Sequence, residues 1–229
     1  MHETPLTGIK ACVFDAYGTL FDVGAAAARC ADALGDRAKP LADVWRRKQI
    51  EYTWLRSLMN RFEDFWQVTG QALDYAMESV GLEDPALRAR LMQHYLRLDA
   101  YPEAHGVLAH LRRAGMKTAL LSNGAMPMLV SASKSSGLEG VLDKILSVDG
   151  VRLYKPHAAV YQMAVDHFGV PASAIAFHSA NAWDVAGAAD YGFRVIWINR
   201  FGQPRERLPG RAEAELDDLN DVPALVGAG

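Results

Sequence analysis

Four apolar, strand-like runs in this 229-residue sequence each hand over to side chains that can do chemistry. ACVFD ends on Asp15, and a turn, Tyr17-Gly18-Thr19, follows at once. KTALLSN delivers Ser122-Asn123-Gly124, and KILSVD is followed after a short loop by Lys155-Pro156. AIAFHS ends on Ser179, with Asn181 and Asp184 next, at the start of a helix-like stretch. In open parallel α/β sheets ligands bind beyond the carboxyl ends of the strands. An acid, a hydroxyl–amide pair, a lysine and a second acid therefore arrive, in chain order, at one crevice. Each has a plainer reading. Asp15 can bond the following turn, Ser122-Asn123-Gly124 can cap a helix, Lys155 can be a solvated loop lysine, and Asp184 can sit at the positive end of a helix dipole. It is the conjunction of all four that points to catalysis.

The elements that must position these groups can be read from periodicity. Five strand-like runs cover 9–15, 117–123, 144–149, 174–179 and 194–199. Helix-like stretches separate the last four, and EAHGVLAHLRRAG leads into the second. Strands alternating with helices predict βαβ units: an α/β fold with a Rossmann-like parallel sheet and helices on both faces. Residues 22–100 contain no convincing strand. There Leu41, Trp45, Tyr52, Leu55 and Met59 recur at helical spacing, interrupted by Lys48, and Pro85 sits at a first helical position. The expectation is a core of residues 1–21 and 101–229 with an inserted all-helical cap at 22–100.

Half of the residues are hydrophobic and 22% are charged, as in a soluble globular chain. A formal net charge of −3 argues against a nucleic-acid partner. No apolar run approaches the roughly 18–20 residues needed to span a bilayer. The N-terminus, MHETPLTGIK, lacks a basic segment followed by an apolar one, so no membrane association and a cytoplasmic location are expected. Cys12 and Cys30 can pair by count; two buried thiols in a reducing compartment is the preferred reading. No Cys/His spacing of the metal-binding type occurs.

FDAYGTLFD, LSNG, YKP and SANAWDVAGA resemble the motifs of the haloacid dehalogenase superfamily. WRRKQIEYTWLRSLMNRF, within 22–100, and NAWD with GFRVIWINR resemble its L-2-haloacid dehalogenases more specifically. The resemblance spans roughly residues 9–200. It implies hydrolysis of L-2-haloalkanoic acids to D-2-hydroxy acids and halide, with no cofactor and no metal. Superfamily phosphatases carry a second aspartate where Tyr17 stands and another acid where Ser179 stands. A magnesium site is thus short of carboxylates here, and a monoanionic substrate suits the charge count better than a phosphate dianion.

Carried over position by position, the resemblance makes Asp15 the nucleophile that displaces halide from C2, forming an ester that water then cleaves. Thr19 orients that carboxylate and Lys155 keeps it ionised. Ser122 holds the substrate carboxylate. Arg46 and Asn123 cradle the halide. Asp184 positions or activates water, with Ser179 and Asn181 fixing geometry and Tyr161 orienting Lys155 or Asp184. Tyr17, Phe65 and Trp183 form a dry wall. Without the resemblance, Arg46 reads as part of a solvated basic face, Phe65 and Trp183 as core, and Tyr161 as packing. A homodimer is also implied. Two departures stand out: Arg47 where relatives often carry glutamine, and His178 and Ala180 flanking Ser179. His178 either titrates near neutrality or is a neutral core residue. Competing readings are a magnesium-dependent phosphatase and a non-enzymatic interaction protein.

Overall fold

The structure, a computed structural model, describes residues 4–228. Six parallel strands form one sheet in the order β3-β2-β1-β4-β5-β6. They are β1 (Ala11–Phe14), β2 (Lys117–Ser122), β3 (Lys144–Ser147), β4 (Ile175–Ser179), β5 (Arg194–Ile198) and β6 (Ala214–Leu216). β1 and β4 are buried along their whole length, which explains why they read as unbroken apolar runs and not as alternating ones. The chain runs outward from β1 through β2 to β3, then returns to β4 on the other side of β1 and runs outward to β6. With right-handed crossovers, that reversal places the connecting helices on opposite faces of the sheet. It also makes the β1–β4 boundary the topological switch point, where a crevice opens.

The five expected strands are present, each trimmed by one to three residues. The sixth, β6, lies in a polar, Pro/Gly-containing tail to which the sequence assigned no strand. At three residues, with Glu215 at its centre, it is too short and too polar to show a period. The core helices are α6 (Ala104–Arg113), α7 (Met126–Ser135), α8 (Ala158–Phe168), α9 (Ala182–Tyr191) and the short α10 (Val222–Leu225).

Between β1 and α6 lie α1 (Ala25–Ala28), α2 (Ala31–Leu34), α3 (Ala38–Leu58), α4 (Phe65–Ser79) and α5 (Pro85–Tyr95). Asp64 and Asp84 start α4 and α5 by accepting from the second and third backbone N–H groups of each helix. The chain leaves the core at 20–22 and returns at 99–101 through two adjacent segments. Phe21 bridges Ala100 antiparallel, Asp22 N donates to Asp99 O (2.9 Å), and Tyr101 N donates to Leu20 O (2.9 Å).

The buried stripe of α3 departs from expectation. Leu41 and Trp45 are buried as predicted, but burial continues through Gln49 and Thr53. Leu55 is 44% and Met59 59% exposed. Polar bonding to α4 accounts for part of this: Trp45 Nε1 donates to Thr69 O (2.9 Å) and Gln49 Nε2 to Thr69 Oγ1 (3.0 Å). The buried row therefore follows the i+4 ridge, the row along which helices commonly interdigitate. Tyr52, Leu55 and Met59 instead line a surface groove of about 640 Å³.

Candidate active site

Asp15 is the residue directly after β1, and its N–H still donates to His178 O on β4 (2.9 Å). That last ladder bond points the carboxylate out of the sheet at the switch point. The turn behind it needs a residue at φ +92°, which Gly18 supplies. Leu20 and Phe21 N–H groups close the turn on Ala16 O at 2.9 Å each.

The Asp15 carboxylate is held at three points. Lys155 Nζ is 3.0 Å from Oδ1; Asn181 Nδ2 (2.8 Å) and Thr19 Oγ1 (3.4 Å) donate to Oδ2. Thr19 is itself fixed, because its hydroxyl accepts from Ala180 N–H at 2.8 Å. Lys155 is 1% exposed and reaches Asp184 Oδ2 as well, at 2.8 Å. Tyr161 Oη donates to Asp184 Oδ1 (2.8 Å) and Ser179 Oγ to Asp184 Oδ2 (2.9 Å). Seven of the expected residues, Asp15, Thr19, Lys155, Tyr161, Ser179, Asn181 and Asp184, thus form one connected network. It draws on β1, β4, α8, α9 and the Lys155 loop.

Arg46, on α3, joins through Asn181, whose Oδ1 accepts from Nη2 at 3.0 Å. It is part of the site and not of a solvated face; Arg47 beside it is exposed. Asn123 accepts the Lys155 backbone N–H at 2.9 Å, so it positions the lysine loop while its amide NH₂ stays on the other side. Ser122 Oγ is buried and accepts from Gly124 N at 3.0 Å. Tyr17 and Phe65 stack at 5.5 Å, while Trp183 packs edge-on against Trp54 at 5.4 Å. The expected dry wall is therefore two aromatic groups. Tyr95, which the sequence reading left out, joins the first: its ring lies 5.6 Å from Tyr17 and 5.3 Å from Trp45. Its spacing from Leu87 and Leu91 made it look like ordinary helix core. Gly124 is required by this wall, because a Cβ there would meet Leu129 and Tyr17 Oη at 2.7 and 2.8 Å.

Charge within the network is uneven: two buried carboxylates share one ammonium. Burial raises Asp184, Lys155 lowers it, and nearby Asp15 raises it again; the net direction is up. Burial alone would lower Lys155, but the two carboxylates outweigh it and the ammonium is held more firmly than usual. One excess negative charge in a dry place produces both shifts. Burial also pushes the Tyr17 and Tyr161 phenols well up, so both stay protonated; Tyr161 donates to Asp184, while the buried Tyr17 Oη has no hydrogen-bond partner.

These donors do not suit a divalent cation. Asp15 and Asp184 already share Lys155, Ser179 and Tyr17 are neutral, and among the described residues no group of three His, Cys, Asp or Glu side chains converges.

The fold and site define a class, and comparison with known proteins agrees. Residues 9–192 match the model of the haloacid dehalogenase-like hydrolases. The chain is 46% identical over 219 residues to (S)-2-haloacid dehalogenase 1 of Pseudomonas sp. (strain CBS-3), covering 95% of this chain and 96% of that one. It is 48% identical over 219 residues to (S)-2-haloacid dehalogenase 4A of Burkholderia cepacia, covering 95% of each. The structure of L-2-haloacid dehalogenase from Xanthobacter autotrophicus with chloropropionic acid covalently bound superimposes with a TM-score of 0.89. That chain is 38% identical, and the match covers 96% of this chain and 98% of that one. The protein belongs to the L-2-haloacid dehalogenase family of the haloacid dehalogenase superfamily.

His178 resolves as the neutral core residue. It is fully buried, stacks on Phe14 at 4.3 Å, and its Nδ1 lies 3.0 Å from Val13 O. A carbonyl only accepts, so Nδ1 carries the proton, and the buried Nε2 has no partner. Burial lowers its pKa from 6.5 to about 4, with the Val13 bond opposing. Unfolding therefore takes up a proton between about pH 4 and 6.5. The contribution is complete above pH 6.5 and is lost as pH falls toward 4, about 3 kcal/mol in all. Urea melts of His178→Val across this range should show a flatter stability–pH slope than the wild type. An unchanged slope would contradict the neutral, buried assignment.

Proposed function

We propose that the enzyme converts L-2-haloalkanoic acids to D-2-hydroxy acids and halide through an ester on Asp15. The observation that carries this is the three-point hold on the Asp15 carboxylate beside an apolar aromatic wall. The solved relative that holds chloropropionic acid covalently supports the same step.

A carboxylate is a weak nucleophile, so orientation must supply much of the rate. Well-aligned intramolecular attack is worth on the order of 7–11 kcal/mol. Lys155, Asn181 and Thr19 fix the plane of Asp15, so attack on C2 proceeds opposite the halogen and inverts that carbon. Ser122, engaged as an acceptor by Gly124 N, has its own proton to offer the substrate carboxylate. Arg46 and the Asn123 NH₂ are assigned to the departing halide. Each donor aimed at developing charge contributes a few kcal/mol, about 2.7–4 in comparable sites. Water then attacks the Asp15 carbonyl carbon and leaves the inverted C2 untouched. Asp184, raised by burial, is the base assigned to that water, with Ser179, Tyr161 and Asn181 holding it in place. Tyr17, Phe65 and Trp183 are assigned to the alkyl group and halogen. The partners are the 2-haloacid and its halide.

The helices of 22–100 are assigned as a cap over the core of 1–21 and 101–229, since Arg46, Phe65 and Tyr95 all reach residues at the strand ends. Free, buried Cys12 and Cys30 support a cytoplasmic setting; among the described residues no helix is long and apolar enough to cross a membrane. A phosphatase reading is disfavoured by the donor set described above, and a purely binding role by the intact nucleophile network.

Incubation with L-2-chloropropionate in excess chelator should release chloride and D-lactate. Asp15→Asn should lower release at least a thousandfold. Turnover of a phosphate ester with Mg²⁺, without any chloride release, would contradict the proposal.

A homodimer is supported by the apolar face of α3. Leu58 is 81% exposed, and Leu55 and Met59 flank it. Light scattering should give twice the chain mass, reduced to the monomer in Leu58→Glu. A monomeric wild type would remove the homodimer from this account.

A further inference from the structure

Arg200 follows β5 and is almost completely buried, its side chain 8% exposed. Its Nη2 donates to Thr19 O at 2.9 Å. The guanidinium lies 3.7 Å from the centre of the Tyr101 ring and 2.6 Å from Glu103 Oε1. These contacts span two separate pieces of chain. Thr19 belongs to the turn that carries the nucleophile, and its hydroxyl touches Asp15 Oδ2. Tyr101 and Glu103 belong to the segment by which the chain returns from the helical insertion, just where it pairs with the outgoing segment.

The bonding is not what stability alone would favour. Arg200 Nε is buried without an acceptor. Glu103 Oε1 sits at ion-pair distance but is not reached along an N–H bond, so it too lacks an aligned donor. An under-satisfied buried guanidinium is costly. What the arrangement does achieve is geometric, because one rigid planar fork touches both segments at once.

We propose that Arg200 is a positioning residue for the dehalogenation step, fixing the Thr19 turn, and through it Asp15, against the return segment of the insertion. The role rests on the dehalogenase reading. Arg200 touches neither substrate nor reacting atoms. Loss of its fork frees Thr19 O and lets the turn rotate, so the Asp15 carboxylate departs from its attack angle. Substrate binding by Ser122 is left intact.

Single-turnover chloride release with enzyme in excess, alongside steady-state kinetics on L-2-chloropropionate, tests this. Arg200→Gln should slow single-turnover release and kcat together, at least tenfold, with KM changed less than twofold. Arg200→Lys, which keeps the cation but not the fork, should recover little of the loss and stay at least fivefold below wild type. Glu103→Gln should slow the same step about threefold. Arg194→Gln, which breaks the pair with Glu213 at the other end of β5, should leave kcat unchanged. Single-turnover release unchanged in the Arg200 and Glu103 variants would overturn the role. So would a loss in Arg194→Gln equal to that in Arg200→Gln, since both would then reflect general weakening of β5. If wild-type enzyme released no chloride, the dehalogenase reading itself would fall; wild-type release with unaffected Arg200 variants would remove this role alone.

Discussion

The site depends on one buried ammonium placed between two buried carboxylates. Lys155 Nζ lies 3.0 Å from Asp15 and 2.8 Å from Asp184. Desolvating such groups costs several kcal/mol per ion, and the attraction recovers this only when geometry and further hydrogen bonds are good. Here Tyr161, Ser179, Asn181 and Thr19 supply those bonds. The rest of the fold can be understood as what holds these charges in place. The switch point of a parallel sheet brings the ends of β1 and β4 side by side. Asn123, at the end of β2, ties down the Lys155 backbone. Packing of α8 on α9 sets Tyr161 against Asp184 and leaves room only for Gly187 between them, since a Cβ there would meet Pro156 Cβ at 2.4 Å.

Desolvation that would be a burden in an ordinary core has a use here. A carboxylate stripped of water but fixed in direction is a better displacing group than one in solution, because fixed protein donors replace mobile solvent. The aromatic wall of Tyr17, Phe65 and Tyr95 keeps the surroundings apolar, and its phenols remain neutral. Arg46, from the helical insertion, contributes the positive charge that the core lacks, and Asn181 is the shared contact. The helices between β1 and α6 thus touch the strand-end network at Asn181. The unequal charge of the network separates the roles of the two acids. Asp15 keeps a small accessible fraction, its side chain 8% exposed, while Asp184 is fully enclosed by three donors and shifted toward proton uptake.

Much of this was legible in the sequence because each main side chain stands directly after a strand or opens a helix. Asp15, Ser179 and Asp184 needed only the rule that ligands bind at carboxyl ends of parallel strands. Lys155 needed that rule plus one short loop. Arg46 was not legible on those grounds. Its role depends on how an inserted helix is set over the sheet, and only the family resemblance pointed to it. Arg200 closes the GFRVIWINR run, but nothing in its spacing tells that it reaches back to the Thr19 turn, so it received no role. Tyr95 was hidden by ordinary helical spacing. The lower stripe of α3 misled for a different reason: apolar period predicts a face, but satisfied polar pairs such as Gln49–Thr69 decided which face packs on α4. β6 was too short for any period to appear.

The chemistry turns on whether an Asp15 oxygen, and not a water oxygen, is the first to bond to substrate carbon. A single turnover with enzyme in excess, run in H₂¹⁸O and followed by mass spectrometry of both product and the Asp15-containing peptide, tests it most directly. Mass spectrometry should find ¹⁸O in the Asp15 carboxylate and none in the hydroxyl of the first-turnover product. Label in that hydroxyl, with Asp15 unlabelled, would mean that water attacks C2 directly and that Asp15 forms no ester.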